Sequence, residues 1–100
     1  MIRRFVFFRF KPEFRGADAL DEIYERSCQV LGALPQVCSF EVGLASDPRS
    51  QAAWDLSITA TFTDLESMEA YIIHPEHRAY VDGFIKSRLE VIKAWNFSSE

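Results

Sequence analysis

One hundred residues suit one domain and leave no room for a second with its own core. Apolar residues make up 48% of the chain and nine are Phe, more aromatic surface than so small an interior easily hides, so a shared interface is expected. A net charge of -4 and a pI near 5.1 argue against a nucleic-acid partner, whose binders neutralise phosphates with a basic face.

Ile2 to Phe10 is dense in Phe, Val and Ile and closes on Lys11-Pro12, which predicts a strand. Ile2, Arg4, Val6, Phe8 and Phe10 share one face of it, Phe5 and Phe7 the other, so both faces need cover. The basic residues of this region (Arg3, Arg4, Arg9, Lys11, Arg15) read as a solvated edge. The apolar run Phe5 to Phe8 falls short of the ~7–15 residues of a secretory core and the ~18 of a membrane span, so a soluble, cytoplasmic protein with no membrane partner is expected.

From Asp18 to Leu34 the spacing of Leu20, Ile23, Tyr24, Ser27, Leu31 and Leu34 predicts a helix, capped by Asp18 and ended by Pro35. Cys38, Phe40, Val42 and Leu44 then alternate with Ser39, Glu41 and Gly43 as a half-buried strand. The two cysteines, Cys28 and Cys38, lack metal or redox spacing and read as small buried residues of a reduced compartment. Ala45 to Ala52 is turn chemistry, and Trp54, Leu56, Ile58, Ala60 and Phe62 make the inward face of a third strand.

Thr63 and Glu66 form a capping box for a second helix burying Leu65, Met68 and Ile72. His74-Pro75 breaks it, and Pro75 opens a third helix that turns Val81, Phe84, Ile85 and Leu89 inward. Val91 to Phe97 is the last strand. The order βαββαβ predicts an α+β, ferredoxin-like, four-stranded antiparallel sheet over residues 1–100, with helices on one face only. The bare face would carry Phe5 and Phe7, each worth about 1.5–3 kcal/mol when hidden, so a homodimer through that face is expected. Asp55, Ser57, Thr59 and Thr61 make the contact mixed rather than oily.

These residues also carry a family resemblance. The opening Met-Ile-Arg-Arg-Phe-Val-Phe-Phe-Arg-Phe-Lys, then Leu34-Pro35-Gln36-Val37 with Phe40-Glu41-Val42-Gly43, then Trp54-Asp55-Leu56 and Thr61-Phe62, and above all Tyr71-Ile72-Ile73-His74-Pro75-Glu76-His77 resemble the stress-responsive A/B barrel (Dabb) family over nearly the whole chain. The resemblance implies a dimeric α/β barrel with a pocket between sheet and helices. One plant member of that family, olivetolic acid cyclase, closes a linear polyketide with a first-strand His, a Tyr on the second helix and the second His of His-Pro-x-His. Tyr71 and His77 match two of the three; Arg4 stands where the first-strand His would be.

The candidate catalytic pair is therefore His77 and Tyr71. His77 lies near the start of a helix, whose dipole favours a neutral imidazole able to take a proton, while Tyr71 could polarise a carbonyl. The bland alternative makes His77 a partner for backbone at the helix junction and Tyr71 a core ring with a wet hydroxyl. Arg4 is expected either to clamp a carboxylate or enolate, or to snorkel outward to an acidic residue of the chain. Val6, Phe8, Tyr24, Ile58 and His74 complete the expected ligand-binding set. His74 and His77 lack further ligands, so no metal is expected, and no cofactor is implied. Function then divides between a pocket that binds or transforms an apolar anionic or carbonyl compound, with cyclase-like proton transfer, and a non-catalytic structural or stress-protective dimer. A monooxygenase on the same barrel is a further alternative. An RNA-recognition domain shares the element order, but its third strand displays aromatics where this chain has Asp55, Ser57, Thr59 and Thr61.

Overall fold

The computed structural model describes residues 1–99. Its strands are β1 (Ile2–Phe10), β2 (Ser39–Leu44), β3 (Leu56–Phe62) and β4 (Leu89–Ser98), and its helices α1 (Ala17–Ala33), α2 (Pro48–Ala53), α3 (Leu65–Ile73) and α4 (Pro75–Tyr80). The strands form one sheet in the order β2-β3-β1-β4, antiparallel throughout, so the most apolar strand lies at its centre. Register places Val6 beside Ile58 and Ala94, and Arg4 beside Ala60 and Asn96. Even-numbered residues of β1 thus face the helices, over a core built on Phe8, Phe10, Ile23, Leu31, Leu56, Phe62 and Ile85.

The other face is bare of helices. Phe5 meets Phe97 edge-on at 5.8 Å, and Phe7 lies between Trp54 at 5.6 Å and Trp95 at 6.1 Å. Trp95 and Phe97 remain 49% and 58% exposed. Beside this aromatic half, Thr59, Thr61, Ser39 and Glu41 make a polar half, with a hydroxyl pair between Ser39 and Thr61 at 2.6 Å.

Several expected boundaries move, each for a local reason. Asp18 sits inside the first turn of α1, whose cap is Gly16, and Tyr24 lies on its exposed flank because Ile23, Ser27 and Leu31 take the centre of the stripe. The segment expected to be only a turn contains α2, capped by Asp47, which accepts from Ser50 N–H at 2.7 Å. Asp64, not Thr63, caps α3 by accepting from Ser67 N–H at 2.8 Å, so Met68 and Tyr71 are buried and Leu65 is exposed. β3 begins at Leu56, and Trp54, as the residue closing α2, packs on Phe7 at the bare face rather than inward. Cys38 is exposed and Cys28 half-buried; both are free thiols.

The third helix is not uniform. After α4 the chain widens into a π turn at Val81–Ile85, tightens into a 3₁₀ turn at Lys86–Arg88, and enters β4 at Leu89. Such a widened turn commonly borders a functional site, and here Val81 and Ile85 both reach the space between helices and sheet.

Candidate functional site

Residues from β1, β3, α3, α4 and the π turn enclose a pocket of about 130 Å³ between sheet and helices. A cavity of roughly 150 Å³ holds benzene, so this one suits a single ring or a short branched chain. Arg4, Val6 and Phe8 form its floor with Ile58; Tyr71 and His77 stand over it. Ile92 of β4, 42% exposed, and Arg78 lie at its open side.

The polar groups are oriented by bonds of their own. A carbonyl can only accept, so His77 Nδ1 donates to Ile72 O at 3.0 Å and the neutral ring keeps its lone pair on Nε2. His77 is 8% exposed, and burial lowers its pKa; Arg78 and Arg4 push the same way, against the Ile72 bond and Asp82. The neutrality expected from a helix dipole arises instead from desolvation. The rings of Tyr71 and His77 lie 4.2 Å apart, and Tyr71 also packs on Phe62 at 4.9 Å. Burial raises the Tyr71 hydroxyl to about 12, opposed by Arg4, so it is a donor at neutral pH.

Arg4 is half-buried, and desolvation lowers its pKa. Its Nη1 donates to Asn96 Oδ1 at 2.9 Å across the β1–β4 ladder. Among the described residues no carboxylate lies within ion-pair distance of it, and the Nε–Nη2 edge has no partner. The other arginines near the core are engaged: Arg9 and Arg15 with Asp55 and Glu90, Arg88 with Glu22 and the face of Phe84.

Of the residues expected here, Arg4, Val6, Phe8, Ile58, Tyr71 and His77 line the one pocket. Two expected residues do not. Tyr24 lies on the exposed flank of α1, outside the pocket, where Tyr80, whose hydroxyl bonds Ser27, stands instead. His74 caps α4, its Nδ1 accepting from Glu76 N–H at 3.1 Å. Tyr80, Ile85 and Ile92 also line the pocket. Tyr80 was readable only as a residue one turn after His77 in a helix opened by Pro75.

A larger cleft, about 410 Å³, opens between α1, α2 and the start of β3. Its charged groups hold the fold together. Asp55 accepts from Phe10 N–H at 2.8 Å, while Arg15 donates to Phe10 O at 2.8 Å and to Glu90 at 2.6 Å. Asp21, exposed on α1, is the one charged lining group outside this network.

Residues 2–99 match the family model described as the stress responsive A/B barrel domain, Dabb. Among solved structures, a Dabb family protein with a ferredoxin-like fold from Mesorhizobium loti is similar, at TM-score 0.81 and 22% identity over 99% of this chain and 96% of that one. A dimeric ferredoxin-like protein of unknown function from Thermobifida fusca gives TM-score 0.83 and 22% identity, covering 98% and 90%. A hydroxynitrile lyase from Passiflora edulis gives 0.80 and 17%, covering 96% and 90%. No curated protein matches the chain.

Proposed function

The chain belongs to the stress responsive A/B barrel domain (Dabb) family, and on that premise we propose that it forms a homodimer through the bare sheet face and binds a small apolar anionic or carbonyl compound in the pocket of Arg4, Tyr71 and His77. The observation that carries this reading is Arg4, a desolvated guanidinium whose Nε–Nη2 edge and charge meet no carboxylate among the described residues, set among apolar side chains. Such a group is costly unless an anion meets it, and its free edge matches a carboxylate bidentately. Val6, Phe8 and Ile58 supply the apolar walls.

The same arrangement suits proton transfer beside a carbonyl. His77 Nε2 takes the proton from an activated C–H, and the bonding pair moves toward the carbonyl oxygen to give an enolate. The Tyr71 hydroxyl and Arg4 stabilise the negative charge as it develops. That the fold is shared with a protein named as a hydroxynitrile lyase supports an enzymatic use of it. Dimerisation is supported by the aromatic cluster of the bare face and by the dimeric description of the Thermobifida fusca protein.

Calorimetric titration with one-ring and short branched carboxylates tests the reading. Binding is expected, and Arg4→Met should weaken it by about tenfold or more. Silence throughout the series at millimolar concentration, or equal binding by the Arg4 variant, defeats it.

A further inference from the structure

The pocket sorts its hydrogen-bonding groups by direction. Ser27 Oγ has one hydrogen, and donates it to Ile23 O at 2.7 Å within α1. Its second bond, with the Tyr80 hydroxyl, is therefore one in which Tyr80 donates. Tyr80 lines the pocket with its proton already committed and only lone pairs to offer. His77, one turn earlier on α4, is in the same condition: Nδ1–H is spent on Ile72 O, and Nε2 can only accept. On the opposite side Arg4 can only donate, and Tyr71 has a hydroxyl proton with no partner among the described residues.

From this polarity we infer that the ligand is a small α-hydroxy acid. Its carboxylate meets the open edge of Arg4 and the Tyr71 hydroxyl, its hydroxyl proton points at the acceptors His77 Nε2 and Tyr80 Oη, and a short apolar body fills the space beside Phe8 and Ile85. A plain carboxylic acid would offer no donor to His77 Nε2, and would leave Tyr80 Oη with its Ser27 bond alone. An amino acid would supply donors, but its ammonium would enter a pocket where Arg4 and Arg78 both oppose positive charge on His77. The size of the pocket limits the body to one ring or a short branch. The inference rests on the anion-binding reading above and specifies its ligand.

Calorimetry with α-hydroxyisovalerate, isovalerate and valine, matched in carbon skeleton, separates the two. The hydroxy acid is expected to bind about tenfold more tightly than isovalerate, and valine more weakly than either. In Tyr80→Phe, which keeps the ring, the ratio of hydroxy-acid to isovalerate affinity should shrink to about threefold or less. Ser27→Ala, which releases the Tyr80 proton, should shrink it likewise. Equal affinity for the two acids, tighter binding of valine, or an undiminished preference in Tyr80→Phe overturns the hydroxy-acid inference and leaves the anion pocket standing. Failure of both acids to bind the wild-type protein overturns both.

Discussion

The proton on His77 Nδ1 is held by the Ile72 carbonyl, and the ring is buried, so the folded protein binds a second proton there less readily than the unfolded chain does. Below the unfolded value of about 6.5 the unfolded state therefore takes up more protons, and stability falls as pH drops until the folded ring also titrates. Denaturant unfolding between about pH 5.5 and pH 7.5, roughly one unit either side of that value, should show this slope, and His77→Gln should flatten it. A second residue-scale expectation concerns the Ser27–Tyr80 bond. Ser27→Ala leaves a buried phenol without an acceptor and should cost about 1–3 kcal/mol, whereas Tyr80→Phe leaves Ser27 still bonded to Ile23 and should cost about 1 kcal/mol or less. The reverse order in urea unfolding would show that the hydroxyl directions are misassigned. His77 and Tyr71 were legible in the chain because they sit in one short motif. Tyr80 was not, since its partner Ser27 lies on a different helix and only packing joins them.

At the level of elements, β1 outruns β3. β3 begins at Leu56, and beyond it Asp55 substitutes for a strand partner: its N–H donates to Phe8 O at 2.8 Å and its carboxylate accepts from Phe10 N–H. The β1–β4 register shifts at this same place, between Arg9 and Phe10. Asp55→Ala would leave the Phe10 amide buried without an acceptor and Arg9 and Arg15 short of a counter-charge, a loss of about 2–3 kcal/mol by thermal or chemical unfolding. Asp55→Asn keeps an acceptor and should lose less. The strands were readable because period-two alternation depends only on neighbouring residues. The ends of helices were less so: Thr63-Asp64 offers two adjacent caps, and the choice between them depends on which residues of α3 then meet the core. The π turn at Val81–Ile85 left no mark in the apolar spacing, since one extra residue in a turn still returns Phe84 and Ile85 to the interior.

For the whole molecule, the proposed dimer makes the bare sheet face its interface. The proposed dimer should sediment at twice the 11.5 kDa of the chain, and Trp95→Glu, which sets a carboxylate among Phe5, Phe7 and Phe97, should release folded monomers. Sedimentation equilibrium with circular dichroism as the check on folding measures both. A wild-type particle at 11.5 kDa would count against the association.

Strand β4 belongs to two environments at once. Its odd positions, Lys93, Trp95 and Phe97, lie on the bare face, while its even positions, Ile92 and Asn96, stand at the pocket wall or brace Arg4. Because the proposed pocket and the proposed interface share this ladder, occupancy and self-association are expected to be reciprocal: whatever firms the edge from one side lowers the entropy still to be lost on the other. Saturating guest molecules should therefore lower the concentration at which two chains come apart, and, with one pocket per chain, dilution should loosen each pocket's grip on its guest by the square root of that factor.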